Sequence, residues 1–236
     1  MRLCRPARKI ETLQTGGERE KVYVPEAFKE SRLDVLHAFM RANPFATLVT
    51  NGVEGPVVIH LPTLFHSELG RHGTLHAHAA RANHDVPAGD AGVPALFVFQ
   101  GSHAYISPSW YPSKLLHGRV VPSWNYIAVH VRGTLKLHSE PDWLLGHLQQ
   151  LTDSQEKHRD HPWFVSDAPK AYTDALVGHI VGLEFEITSI AGKWKLGQNR
   201  SIDDQKGVIT GLQAEASPSA HAVAASMQQH LDSRGK

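Results

Sequence analysis

The sequence predicts a mainly β protein with peripheral α-helices (α+β), built around an antiparallel barrel that is closed or split. Two observations predict this class. Segments with strand character cluster between residues 45 and 138, with one more near 183–190, and the long helical segments flank that run. Strands and helices do not alternate as in a doubly wound sheet, and no G-x-G-x-x-G or Walker motif occurs.

The strands are predicted from short apolar runs and from alternation of apolar and polar residues. Asn51-Gly52 is a turn signal between the first two runs, which predicts a hairpin. Gly133 lies within the longest run and is expected to mark a bulge or a sharp bend. The predicted strands are residues 45–50, 56–61, 75–79, 95–99, 104–107, 125–138 and 183–188.

Apolar residues at helical spacing predict the helices. One covers residues 25–41, two more begin at Pro141 and Pro169, and residues 80–86 are expected to form a helical turn. Ser201 and Asp204 resemble a capping box before a further helix. A last amphipathic helix covers residues 219–231, and the dimer partner is one candidate for the surface that its apolar stripe packs on.

Length and charge limit the classes of function. The 236 residues are divided here into a flexible N-terminal extension (1–21), a barrel domain with helical additions (22–213) and a C-terminal helical tail (214–236). The net charge of +1 does not supply the basic surface on which DNA binding depends, so DNA as a partner stays open. No apolar run reaches the roughly 20 residues of a membrane span, so no membrane association is expected.

The cysteine and histidine content bears on compartment and on metal binding. Cys4 is the single cysteine, so no intramolecular disulfide can form, which favours a reducing, cytoplasmic location. The 17 histidines invite a metal site, and His76 and His78 alternate as on one strand face. No Cys-x-x-Cys pair occurs, however, and the three or four spaced ligands typical of a zinc site are not apparent, so no metal site is predicted.

Four segments concentrate polar and aromatic residues: 55–62, 76–83, 100–111 together with 122–126, and 192–200. In the second, Arg81 and Asn83 follow a strand where a helix start would attract phosphate, although an exposed arginine beside a capping asparagine is the simpler interpretation. The aromatic residues of the third suit a planar ring system, or else they fill the core or a dimer interface. The cations of the fourth suit an anionic ligand, or form a solvated basic loop.

At these segments the chain resembles the PaiB family of FMN-binding negative transcriptional regulators. The resemblance runs from residue 22 to about residue 213 and includes Asn43-Pro44-Phe45, His60-Leu61-Pro62, Ala80-Arg81-Ala82-Asn83 and Pro122-Ser123-Trp124-Asn125-Tyr126. It continues through Trp163 and Asp167-Ala168-Pro169 to Lys193-Trp194-Lys195-Leu196 and Gln198-Asn199-Arg200. It implies an FMN-binding split barrel, similar to pyridoxamine-phosphate oxidase-like proteins, which are homodimers with FMN at the subunit interface.

The resemblance also implies a cofactor-binding set. His60 and Leu61 would lie along the isoalloxazine, Arg81 and Asn83 would hold the phosphate, and Trp124 and Asn125 would line the same cleft. Lys195, Gln198 and Arg200 would come from the other subunit, and His78 completes the set. Ile59 stands where a small hydroxyl residue is common, and Gly197 where serine is common, and both differences bear on the affinity for FMN.

Three functions follow from this resemblance. The first is a regulator with FMN or a related planar phosphate held at a homodimer interface. The second is an FMN-dependent oxidoreductase of the flavin reductase kind, for which no catalytic residue is assigned. The third is a haem-binding split barrel, since histidines are plentiful. No Ser–His–Asp spacing indicates a hydrolase.

Overall fold

The structure is a computed structural model that describes residues 23–86 and 92–234, so the predicted N-terminal extension and Cys4 lie outside the described residues. The strands are β1 Lys29–Glu30, β2 Phe45–Gly52, β3 Gly55–Pro62, β4 Leu64–His66, β5 Thr74–Ala80, β6 Val93–Ile106, β7 Ser123–His138 and β8 Ile180–Lys195. The helices are α1 Leu33–Ala42, α2 Ser113–His117, α3 Pro141–Glu156, α4 Lys170–Val177, α5 Ile202–Gln213 and α6 Pro218–Arg234. None of these helices is long and apolar enough to cross a bilayer.

One antiparallel sheet forms the body of the protein and curls until its two ends are neighbours. The strand order is β3-β2-β6-β7-β8-β5-β4, with β1 paired to β8. Only Thr63 separates β3 from β4, at opposite ends of this order, and its backbone N–H and hydroxyl both donate to the carbonyl of Pro44. The sheet is therefore a split barrel, as predicted.

Side-chain alternation along the strands builds the barrel interior. Phe97, Phe99 and Phe185 are fully buried there, and α1 covers the interior with Leu36 and Met40. The opposite faces of the same strands form what we call the outer face of the sheet.

A second core lies outside the barrel, where β6 and β7 extend toward α5 and α6. Ile106, Leu212 and Val223 are fully buried in it, and Met227 is almost so. The apolar stripe of α6 therefore packs on the same chain, and not on a dimer partner, because this core needs a cover that α5 alone does not provide.

Two irregularities bend the longest strands. Between Arg132 and Gly133 the pairing of β7 with β8 shifts by one residue, as predicted for Gly133. A Cβ at Gly133 would lie 2.0 Å from the carbonyl oxygen of Glu186, so the close approach of the two backbones requires glycine. A second shift, between Gln100 and His103, joins two predicted strands into the single strand β6.

Two helical predictions were wrong. The first helix begins at Leu33 and not at Pro25, because the intervening residues form a 3-10 turn and then pair with β8 through Lys29. Residues 81–86 form turns and no helix. Asn83 closes the second turn by accepting from the backbone N–H of Asp85 at 3.0 Å, a local bond that competes with helix formation.

Candidate functional site

The predicted cofactor-binding residues fall into groups at opposite ends of β8. Arg81 contacts Ile180, the first residue of that strand, whereas Lys195 is its last residue. A fully extended 16-residue strand would span roughly 50 Å, an upper limit here because β8 bends at the bulge opposite Gly133. One chain therefore does not bring the two groups around a single small ligand.

Arg81 is already engaged within the chain. Its Nη2 donates to the carbonyl of Ile180 at 2.8 Å, its Nε to the carbonyl of Gly178 at 3.2 Å, and its Nη1 to Ser139 Oγ at 3.4 Å. A guanidinium has five N–H donors, so two remain for a further acceptor. Residues 81–86 form no helix, so the anion-attracting helix N-terminus that was expected directly after β5 is absent.

His78 faces away from the barrel interior, beneath α3. Its Nδ1 lies 3.1 Å from Nε2 of His147 on that helix. Burial lowers the pKa of His78 below its ordinary value. The structure thus places His78 in a contact between β5 and α3 and not on an open surface.

An open groove lies on the outer face of the sheet along β6 and β7. We call it the β6–β7 groove; its volume is about 370 Å³ and it is lined by Val98, Gln100, His103, Trp124, Tyr126, Ala128 and His130. This volume is within the range of small-molecule sites, roughly 300–1,000 Å³.

Aromatic rings form one wall of the groove. Trp124 is 51% exposed, and its ring centroid lies 5.7 Å from that of His103 and 6.2 Å from that of Tyr105. Exposed rings that lie side by side form a contiguous apolar surface, which marks an interaction site more often than a single exposed side chain does. The ring of Trp124 is therefore accessible to a ligand in the groove.

His60 and Leu61 point in opposite directions because neighbouring residues of a strand alternate. His60 pairs with Thr47, which pairs with Val98, so His60 shares the outer face with the groove. It lies two strands from Val98, about 10 Å away. Leu61 is buried in the barrel interior, as is Ile59, so neither side chain reaches the outer face.

Cations border the groove at the end of β8. Nζ of Lys195 donates to Ser123 Oγ and to the carbonyl of Trp124, both at 2.7 Å, which holds the ammonium beside the groove wall. Nζ of Lys193 lies 5.6 Å from the ring centroid of Tyr126. The guanidinium of Arg200 lies 5.0 Å from the ring of Tyr111.

The pKa values of two groups at the groove are lowered mainly by burial, with a smaller contribution from neighbouring cations. Burial lowers the pKa of Lys195, Tyr126 opposes this, and the charges of Lys193 and Arg200 lower it further. Burial also lowers the pKa of His130 inside the groove, with added repulsion from Arg132 and Lys193. An anion here would relieve this repulsion.

The side chains of Gln198 and Asn125 form hydrogen bonds within the chain. The Gln198 side chain accepts from the backbone N–H of Leu196 and donates to the carbonyl of Trp194, which closes a turn where Gly197 has a φ of 79°. A serine at Gly197 would be strained in that conformation, so glycine has a local reason here. Asn125 is buried and donates to Met227 Sδ at 3.3 Å.

Several groups near the groove escaped sequence reasoning. The hydroxyl of Ser123 positions Lys195, and buried Gln205 donates to the carbonyl of Arg200 at 2.9 Å. His130 lines the groove although it reads as one polar residue in an alternating strand. Its position opposite Val98 in the sheet, which sequence alone does not show, was the missing signal.

The fold defines the class: an antiparallel split barrel whose groove lies on the outer face of the sheet. The chain belongs to the family described as "Putative FMN-binding domain", whose profile matches residues 22–189. The Protease synthase and sporulation protein PAI 2 of Bacillus subtilis is 36% identical over 211 residues, covering 89% of this chain and 98% of that protein. The predicted resemblance to the PaiB family is thereby confirmed.

More distant similarities agree on the fold. An uncharacterized protein of Emericella nidulans, AN0679, is 27% identical over 228 residues, covering 81% of this chain and 90% of that protein. The FAD and haem binding protein from Mycobacterium smegmatis superposes with a TM-score of 0.53 at 17% identity, covering 75% of this chain and 78% of that one. At this identity the likeness concerns the fold alone.

Proposed function

We propose that the protein binds FMN in the β6–β7 groove and that two copies of the chain complete each site. One observation carries the proposal: an aromatic-walled groove lies beside a cluster of cations, so a flat ring and an anionic group meet complementary surfaces within one site. Membership of the FMN-binding domain family identifies FMN as the ligand with both features.

The residues present fit this ligand. Trp124 and Tyr126 would contact the flat ring system, and His60 would approach it from the neighbouring strands. Lys195 would offer its remaining N–H donor, and Lys193 and Arg200 would add positive potential. When bound, FMN supplies redox chemistry; the protein holds it and limits solvent access.

A second copy supports the site because Arg81 lies at the far end of β8 from Lys195. Paired around a two-fold axis, one protomer would contribute Arg81 and Asn83 while its partner contributes the groove. The outer face also carries exposed apolar side chains that a partner would cover, including Phe45 (67% exposed) and Val58 (50%). This arrangement keeps Arg81 and Lys195 on different subunits, as in the prediction, but it places Trp124 and His60 with Lys195 and not with Arg81.

We propose a regulatory role in which flavin occupancy is the signal. The name of the relative from Bacillus subtilis refers to protease synthesis and to sporulation. The net charge of +1 argues that any effect on transcription is indirect. A gel-shift experiment at moderate salt is expected to show no specific promoter binding, and a sequence-specific shift at that salt would contradict indirect regulation.

The ligand is tested by titrating the purified protein with FMN and, separately, with riboflavin. We expect FMN to bind at least tenfold more tightly, because riboflavin lacks the phosphate that the cations recognise. Equal affinities would contradict the cationic site. A Soret band with haem and no flavin binding would favour the haem-binding alternative, and steady oxidation of NADPH by the flavin-loaded protein would favour the oxidoreductase.

A further inference from the structure

A layer of histidines lies between α3 and the outer face of β5 and β8. His76 and His78 alternate with Ala77, which points into the barrel interior, so the two imidazoles face α3. The helix covers them with Trp143 and His147, and His147 is only 2% exposed. This layer belongs to neither the groove nor the barrel core.

The rings of the layer are in direct contact. His76 and His66 lie 4.2 Å apart by ring centroid, and His78 and His147 lie 5.3 Å apart. Trp143 stacks on His138 at 4.3 Å with an interplanar angle of 3°. A charge on one inner imidazole would therefore be felt by its neighbours.

A carboxylate lies beside His138 and His76, but His78 and His147 are paired with each other. Glu184 Oε2 lies 3.1 Å from His138 Nε2 and 3.9 Å from His76 Nε2, whereas the hydrogen-bonded partner of His78 is another imidazole, His147. Nδ1 of His147 and Nε2 of His76 are buried with no hydrogen-bond partner. The titratable and charged groups around the layer include His66 and Glu68 at β4, His76, His78 and Arg81 at β5, Lys136 and His138 on β7, Glu140 and His147 at α3, and Glu184 and Glu186 on β8. The 3-10 turn Val165–Asp167 and α4, which also pack on α3, carry Asp167, Lys170, Tyr172 and Asp174.

The neutral form of the layer is the one that fits beneath α3. Burial lowers the pKa of His147 to about 3, with repulsion from His78 and His76 adding to the effect. Burial likewise lowers the pKa of His76 to about 4. The docked helix therefore holds fewer protons than an open form in which these imidazoles meet water at an ordinary value near 6.5.

We propose that α3 is an acid-released clasp, in which proton uptake by His76, His78 and His147 detaches the helix from β5 and β8. Movement of α3 would also affect Arg81. The Arg81 guanidinium contacts Ser139, and Ser139 directly precedes Glu140 at the start of α3. Detachment removes that contact and loosens the corner that α3 shares with α4. A consequence for phosphate binding at Arg81 rests on the proposed function, whereas detachment itself does not.

The sign of the effect follows from linkage. Between the ordinary histidine value and the lowered ones, opening takes up protons, so the equilibrium constant for opening rises as pH falls. Uptake of two protons gives a rise of roughly 100-fold per pH unit, and one proton gives roughly tenfold. Above about pH 7 the opening constant is flat with respect to these groups.

Amide hydrogen exchange across pH 4.5–8, corrected for intrinsic rates, tests the clasp without any flavin. We expect the opening equilibrium constant of α3, obtained from the exchange of its amides, to rise by about 10- to 100-fold for each pH unit below about pH 6. The amides of β7 should stay protected over the same range. His147→Leu should hold α3 closed at pH 5 and flatten the slope. His158→Asn, at an exposed histidine just beyond α3, should behave as the unchanged protein.

Two results would overturn the proposal: an α3 opening constant that does not depend on pH, or loss of α3 protection in step with β7, which would mean global unfolding. If His147→Leu fails to fold at pH 8, imidazole NMR of the unchanged protein replaces it. His147 is then expected to stay neutral while α3 is protected, and titration near pH 6.5 with the helix still protected would be decisive against the clasp. Absence of FMN binding at every pH would refute the proposed function and leave this result standing.

Discussion

At the scale of single residues, Lys195 is the side chain on which the proposed ligand site depends most. Its ammonium is held by Ser123 and by the carbonyl of Trp124, so the ammonium is oriented before a ligand binds. Fixing a charge before binding reduces the entropy lost when the ligand arrives. A surface lysine on a free stem lacks this advantage.

Lys195→Met is therefore expected to weaken FMN binding roughly 10- to 100-fold, the value of one hydrogen bond to a charged group. Lys206→Met, at an exposed lysine of α5, should leave the affinity unchanged. Isothermal titration of both variants with FMN provides the measurement. Equal weakening by the two substitutions would indicate a general charge effect and not a fixed ligand contact.

The pH dependence of FMN affinity has a defined direction. The pKa of Lys195 is lowered from 10.5, mainly by burial, so the ammonium deprotonates at lower pH than an ordinary lysine. FMN affinity should weaken as pH rises toward that lowered value, because the neutral amine attracts phosphate less. Titrations at increasing pH are expected to show this loss in the unchanged protein and not in Lys195→Met.

Two glycines make a matched pair for stability. At Gly133 a Cβ would meet the Glu186 carbonyl at 2.0 Å, whereas at Gly146, within α3, it would meet nothing within 4 Å. Gly133→Ala should lower the free energy of unfolding by about 1–3 kcal/mol, and Gly146→Ala should raise it by about 0.5–1 kcal/mol. Urea denaturation measures both, and a stabilised Gly133→Ala would contradict the close approach of β7 and β8.

At the scale of elements, α5 is anchored at its first turn. Ser201 Oγ accepts from the backbone N–H of Asp204, as the predicted capping box requires. The Asp204 carboxylate does not return to Ser201, however, but accepts from both the backbone N–H and the hydroxyl of Ser113 at 3.0 and 2.8 Å. The residue predicted to cap α5 thus also fixes α2 beside it.

Asp204→Ala is expected to lower the free energy of unfolding by about 1–3 kcal/mol, because it removes a buried carboxylate and leaves the half-buried N–H and hydroxyl of Ser113 without their acceptor. Asp203→Ala removes an exposed carboxylate from the same turn and should cost less than about 1 kcal/mol. Thermal or urea unfolding of both variants makes the comparison. Similar losses would mean that the helix dipole, and not the Ser113 contact, accounts for the effect.

Elements with a strong local pattern were predictable, and those without one were not. β7 followed from alternation, and α3 followed from Pro141 and its leucines. β4 has only three residues, and α2 has five with Leu115 and Leu116 exposed, so neither carries a periodic apolar signal. The start of α1 was missed because the strand pairing of Lys29 depends on a residue far along the chain.

The site was predictable in part, for the same reason. Trp124 and Lys195 lie beside the groove because they belong to paired strands, whose residue types and order the resemblance captured. The two carbonyl partners of Arg81 are 97 and 99 residues away in sequence and its hydroxyl partner is 58 residues away, so no local sequence pattern predicts these hydrogen bonds. The sequence predicts only that His78 is a polar residue of a strand. Its contact with His147 depends on the packing of α3, which the sequence does not show.

At the scale of the whole molecule, the proposed dimer brings the two ends of β8, each from a different copy of the chain, to one flavin site. In such a dimer each site takes Arg81 from one protomer and Lys195 from its partner. A heterodimer of an Arg81→Gln protomer with a Lys195→Met protomer then keeps one intact site, since both substitutions fall together in the other. A site contained in one protomer would be damaged in both copies.

Native mass spectrometry of mixed Arg81→Gln and Lys195→Met proteins, with FMN present, distinguishes these arrangements directly. We expect two FMN on the unchanged dimer, one on the heterodimer, and little or none on either variant homodimer. A heterodimer that binds no more FMN than its parents, or an unchanged protein that binds FMN as a monomer, would contradict a flavin site shared between two copies.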